Sequence, residues 1–258
     1  LLSNADFPVI LSGAGVVLAD AINDCRALAE KLDSPVASGY QHNDSFPGSH
    51  PLAVGPLGYN GSKAAMELIS KADVVLALGT RLNPFSTLPG YGIDYWPKDA
   101  AIIQVDINSD RIGLTKKVSV GICGDAKQVA QQLLNSLSSE AGNKNRDERK
   151  ALIHQTKSAW LQTLSSMDHE DDDPGTSWNE EARVRDADRM SPRMAWRAIQ
   201  NGLPKNAIIS SDIGNNCAIG NAYPTFEEGR KYLAPGLFGP CGYGFPSVVA
   251  ATVGCPNM

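Results

Sequence analysis

The chain has 258 residues, 42% hydrophobic and 20% charged, with a formal net charge of -5. That is the balance of a globular protein with room for one large core or two ordinary ones. The negative charge argues against a nucleic-acid or anionic-membrane partner, and no apolar run reaches the roughly 18 residues of a membrane span. Five cysteines, Cys25, Cys123, Cys217, Cys241 and Cys255, are widely spaced with no CxxC pair. This speaks against a disulfide framework or a zinc site and for a reducing, cytoplasmic setting.

Pro8 to Leu11 (PVIL) is a short strand running into the turn Ser12-Gly13-Ala14-Gly15. Leu18 to Leu32 places Ile22, Cys25, Ala29 and Leu32 on one helical face. Pro35 to Ala37 is a second strand. Gly39 to Gly61 is a long irregular segment rich in Gly, Pro, His and Asn, and long ordered loops are commonly functional. Ser62 to Ser70 reads as a helix. Asp73 to Leu78 (DVVLAL), Ala101 to Ile107 and Val118 to Ile122 read as strands, and Asp125 to Leu137 as an amphipathic helix. Apolar strands without alternation, separated by helices, predict an α/β domain with a doubly wound parallel sheet over 1–140.

Residues 141–190 read as an interdomain linker, with a polar stretch over Gly142 to Asp147 and a helix through Leu152, Ala159 and Leu161. In it, His169 to Asp173 (HEDDD) suits a solvated loop better than a metal site, because adjacent carboxylates repel. A second α/β pattern occupies 191–258. Ser191-Pro192 supplies an N-cap and a first helical residue, and the helix runs to Ile199. Ala207 to Ser210 is a strand ending in Ser211-Asp212-Ile213-Gly214, Tyr232-Leu233 begins another, and Gly242 to Val253 is a glycine-led apolar helix. Leu1 is not Met, and the last residues stop where a helix should hand over to a strand. The expectation is an internal piece of a longer protein, with the second domain cut short.

Gly13-Ala14-Gly15 can cradle a phosphate or simply turn the chain tightly. Leu18 stands where the third glycine of GxGxxG belongs, and no acidic residue ends the second strand, which favours the tight turn. Arg81, after Gly79-Thr80, can meet a phosphate or carboxylate, or tie down the loop at Pro84-Phe85. His42 and His50 are candidate acids, bases or anion ligands, with a structural role favoured because the sequence shows no partner for either. Phe238 to Pro246 (FGPCGYGFP) carries glycines dense enough to bring backbone against a flat or charged ligand.

In this order the pieces resemble thiamine-diphosphate enzymes of the acetohydroxyacid synthase and pyruvate oxidase group. The resemblance is carried by Pro8 to Gly15, by His50-Pro51-Leu52 through Gly55, Leu57-Gly58 and Gly61, and by Ala72 to Arg81. Asp212-Ile213-Gly214 and Gly239 to Pro246 continue it nearly to the end of the chain. It implies thiamine diphosphate and Mg2+ as cofactors, with Gly214, Asn215 and Asn216 at the diphosphate. The Gly239 carbonyl would accept from the aminopyrimidine. Cys241, beside Gly242, would replace the bulkier residue that usually props the cofactor into a bent shape. The group's catalytic Glu and its metal-binding motif fall outside the 258 residues, so no metal ligand is expected here and the chain alone is expected to be inactive. Some members hold FAD in the middle domain; with the glycine motif incomplete, none is expected. Within the group the wording is closest to a branch that turns sulfoacetaldehyde and phosphate into acetyl phosphate and sulfite during taurine and sulfonate degradation. His42, Asn43, His50 and Arg81 are then the candidates for its anions, and a homodimer or homotetramer is implied. An acetohydroxyacid synthase or other 2-oxoacid enzyme, and a non-catalytic nucleotide-binding module, remain alternatives.

Overall fold

Five buried residues, Pro8–Ser12, form strand β1, and β4 (Val74–Leu78) pairs with it in parallel from Pro8↔Val74 to Ser12↔Leu78. The computed structural model describes residues 1–169, 192–236 and 238–258. β2 (Val36–Ser38) and β3 (Ala53–Pro56) extend the sheet on one side, and β5 (Ala101–Asp106) and β6 (Val120–Cys123) on the other. The order is β3-β2-β1-β4-β5-β6, all parallel. The winding reverses between β1 and β4, which makes that junction the switch point of a doubly wound sheet. Val9, Ile10, Leu11, Val75, Leu76 and Leu78 are buried, as the unalternating runs require. Helix α2 (Ile22–Leu32) packs on α5 (Ala126–Ser136), and α3 (Lys63–Ile69) on α6 (Arg146–His169). Among the described residues no helix is long and apolar enough to cross a membrane.

Three departures from the sequence reading have local causes. The helix expected over 18–32 starts earlier, as α1 (Ala14–Leu18), and breaks before α2. Asp20 adopts φ 54°, the Ala21 amide donates to Val16 and the Asp20 amide to Val17, a Schellman closure made on an Asp that tolerates the left-handed region. The Gly39–Gly61 segment contains a strand, β3. Its Gly55, at φ 92°, shifts the register against β2, and Pro56 is tolerated because β3 is an edge strand. A short helix, α4 (Pro84–Thr87), follows Asn83, whose side chain accepts from the Phe85 amide.

The stretch from 141 is docked. Gly142, at φ 81°, sits where a Cβ would meet the Leu32 backbone at 2.7 Å. Arg149, on α6, is buried and donates to the carbonyls of Leu32, Asp33, Asp6, Gly142 and Lys144. A buried guanidinium with carbonyl partners all around it clamps α6 to the end of α2. The rest of the expected linker, 170–190, with Glu170 to Asp173 of the acidic loop, lies outside the described residues, as does the expected N-cap Ser191 of the second unit.

The second unit comprises α7 (Pro192–Gly202), β7 (Ile209–Ser210), α8 (Asn215–Ala222), β8 (Tyr232–Leu233) and α9 (Gly244–Gly254). β7 and β8 pair in parallel, and α9 packs on both. It docks on the 39–61 segment through buried polar contacts. The Gln41 amide donates to Asn221 Oδ1 at 2.7 Å, and Asn43 Nδ2 donates to the carbonyls of Asn221 and Pro224, both at 2.9 Å. Asp44 Oδ2 accepts from the amides of Lys231 and Tyr232 at 3.0 and 3.3 Å. The Gly48 amide donates to Phe226 at 2.8 Å. Much of the long loop is therefore a platform for the second unit.

Candidate cofactor-binding turn

Strand β7 ends at Ser210, and the next four residues, Ser211 to Gly214, turn the chain into α8. Gly214 is the helix N-cap at φ 112° and ψ -160°, a region essentially reserved for glycine. Its carbonyl accepts from the Cys217 and Ala218 amides. The amides of Asn215 and Asn216, in the first turn, have no acceptor among the described residues, the normal condition of a helix start and a favourable one for an anion. Both residues are exposed.

Asp212 joins this turn to the second glycine motif. Its carboxylate accepts from the Ile213 amide at 2.8 Å, from Gly242 at 2.8 and 3.1 Å, and from Tyr243 at 3.4 Å. These amides, Ile213 first, hold its carboxyl below the usual range. The Asn216 side chain donates to the Asp212 carbonyl at 3.2 Å. Gly239 and Gly242 take φ 62° and 87°, and a Cβ on Gly239 would lie 3.1 Å from Ile213. Cys241 is exposed beside them with a free thiol. The sequence by itself assigns no role to Asp212, α8 or Asn221; the signal for the first is an Asp closing a strand two residues before a glycine.

The chemistry fits a diphosphate-bearing cofactor. Open amides at a helix start suit the anion, the only carboxylate in the turn is already engaged by backbone N–H groups, and an exposed sulfur beside the open Gly242 offers a surface for a ring. Among the described residues no group of three or more His, Cys, Asp or Glu side chains is arranged to hold a metal ion.

The turn at the switch point is built differently. The Gly13 amide donates to the Leu78 carbonyl at 3.1 Å and the Gly15 amide to Gly79 at 2.8 Å. A Cβ on either glycine would come within 2.6 Å of residues 79–80. These glycines let two backbones touch, the tight-turn reading.

Of the four anion candidates, two are near enough for the charge of one to act on the other. His42 is held neutral, its pKa lowered to about 4 by burial and, second, by the positive charge of Arg81. Arg81 makes no ion pair among the described residues; its carbonyl accepts from Thr115 Oγ1 at 3.1 Å. Asn43 faces the second unit. His50 stands elsewhere, with Nε2 3.2 Å from Glu30, Nδ1 accepting from the Leu52 amide and its ring edge-on to Phe46.

Residues 1–133 match the model of the thiamine pyrophosphate enzyme central domain. Over its whole length the chain is 80% identical to a probable sulfoacetaldehyde acetyltransferase of Rhizobium meliloti (strain 1021), covering 44% of that protein. It is 76% identical to a sulfoacetaldehyde acetyltransferase of Roseovarius nubinhibens, covering 43% of it. A probable acetolactate synthase large subunit of Methanocaldococcus jannaschii is 32% identical over 99% of the chain, with 40% of that protein covered. The chain thus spans less than half the length of these relatives. With the central-domain model matching over half of the chain, and a parallel sheet that reverses between β1 and β4, the chain belongs to the thiamine pyrophosphate enzyme family.

Proposed function

We propose that the protein of which this chain forms part is a thiamine-diphosphate- and Mg2+-dependent acyltransferase. It converts sulfoacetaldehyde and phosphate into acetyl phosphate and sulfite in the breakdown of taurine and related sulfonates, in the cytoplasm, as a homodimer or homotetramer. The observation that carries this reading is identity: 71–80% along the whole chain to three relatives named for that activity, against 28–32% for three acetolactate synthases. In this reading 1–140 is the middle domain, 141–190 the connection, and 191–258 the start of the diphosphate-binding domain.

Thiamine diphosphate, when bound, supplies a nucleophilic carbon and an electron sink, so that the carbon–sulfur bond of the aldehyde breaks and an acetyl group passes to phosphate. The chain's own residues hold it and its anions in place. The amides of Asn215 and Asn216, with the positive end of α8, would take the diphosphate. The Gly239 carbonyl would accept from the aminopyrimidine, and Cys241 next to Gly242 would support the cofactor's rings. Arg81 is our candidate anion contact, because its charge reaches His42 and its guanidinium has no ion-pair partner among the described residues. Asn43 and His50 serve the docking of the loop.

The test is an assay of the full-length protein with thiamine diphosphate, Mg2+ and sulfoacetaldehyde, with and without phosphate. One acetyl phosphate per sulfite is expected, with sulfite turnover dependent on phosphate. Equal sulfite turnover without phosphate, or acetolactate from pyruvate at a comparable rate, overturns the reading.

A further inference from the structure

A cavity of about 190 Å3 lies between β3, α6 and the 222–225 turn of the second unit, walled by Phe46, Val54, Trp160 and Leu164 and touched by Asn43 and Lys157. An apolar cavity of roughly 150 Å3 is enough to take a benzene ring. Two features make this one more than an apolar gap. Asn43 is 7% exposed and its Oδ1 has no hydrogen-bond partner. The orientation of that amide is fixed, because Nδ2 donates to two carbonyls, of Asn221 and Pro224, and a flip would set oxygen against oxygen. A buried acceptor left unpaired is costly and calls for a donor. Lys157 directs its ammonium to the His50 carbonyl at 2.9 Å, yet no carboxylate among the described residues pairs with it. Burial lowers its pKa, the response of a partly desolvated cation without a counter-charge.

We propose that this cavity binds a small, ring-sized organic acid that also carries one hydrogen-bond donor. The ring lies against Trp160 and Phe46, the donor meets Asn43 Oδ1, and the carboxylate or equivalent anion compensates Lys157. The proposal rests on the cavity alone and does not depend on the reaction assigned above.

The probe is 4-hydroxybenzoate, which has a ring, a hydroxyl donor and a carboxylate, titrated into the full-length protein by calorimetry. Benzoate, which lacks the donor, is the comparison. Saturable binding is expected, roughly fivefold weaker for benzoate. Lys157→Met, which keeps the length of the side chain and removes its charge, should weaken 4-hydroxybenzoate roughly tenfold. Leu161→Trp fills the cavity from an exposed position on α6 (Leu161 is 54% exposed), so the fold should tolerate it while binding is lost. An unchanged thermal transition confirms that both variants are folded. No saturation up to roughly 10 mM means the cavity holds only water and overturns the proposal. Binding that survives Leu161→Trp, or equal affinity for benzoate, overturns it as well.

Discussion

The two glycine turns of this chain look alike in sequence and do opposite things. Gly13-Ala14-Gly15 and Asp212-Ile213-Gly214 each follow a strand and open a helix. At the first, the glycine amides are committed to the Leu78 and Gly79 carbonyls, and the absent side chains let β1 and β4 close on each other. At the second, a Cβ on Gly214 would meet little beyond the Asn216 side chain at 3.3 Å, and the two amides that follow have no acceptor among the described residues. A glycine-rich strand-to-helix turn is thus a permission and not yet a site. What decides is whether its N–H groups already have acceptors.

One methyl group added at the closed turn should be the most damaging change. Gly15→Ala places a Cβ 2.6 Å from the Gly79 backbone, with no flexible side chain to move aside, and should cost about 3 kcal/mol in chemical denaturation. A loss near zero would mean that the turn is open after all. At the other turn, Asp212→Ala frees the amides of Ile213, Gly242 and Tyr243. It should weaken thiamine diphosphate binding at least roughly tenfold while leaving the sheet of the central domain intact. The pH dependence sharpens this. Because the folded carboxyl lies below its ordinary value of 3.8, its contribution is full above that pH and is lost as pH falls through the folded value. Asp212→Asn should therefore remove acid sensitivity of the turn below about pH 4.

His42 acts in the same direction over a higher pH window. Its folded pKa, about 4, lies below the ordinary 6.5, so between those values the unfolded chain binds the extra proton and stability falls as pH is lowered. His42→Gln should flatten the denaturation midpoint across that window. The smallest effect is expected at Cys241, for which the proposed role is to support a ring without reacting. Cys241→Ala should lower turnover several-fold, whereas Cys241→Val and Cys241→Met should retain more. Full activity in Ala together with none in Val would exclude a supporting role.

The sheet was legible because each central strand is a short apolar run bounded by turn residues, and burial on both faces leaves no other reading for DVVLAL or AIIQVD. β3 was not, because AVGP violates strand preferences that only an edge position relaxes. The Asp20 break was hidden because a left-handed Asp leaves no mark in an apolar periodicity. The glycines of the candidate turn were visible as residues, whereas the Asp212 clamp is a contact across 30 positions to Gly242, which spacing alone does not reveal. The 39–61 segment was marked as functional by its composition. Its role in docking depends on Asn221, Pro224 and the 226–232 segment, far along the chain.

The claim that the open turn holds the cofactor diphosphate is tested most directly by titrating thiamine diphosphate with Mg2+ into the full-length protein carrying Asn215→Asp. A carboxylate in the first turn of α8 favours the helix, so the thermal transition should stay or rise, while its charge opposes the diphosphate and affinity should fall roughly tenfold or more. Unchanged affinity with an unchanged transition would contradict the assignment.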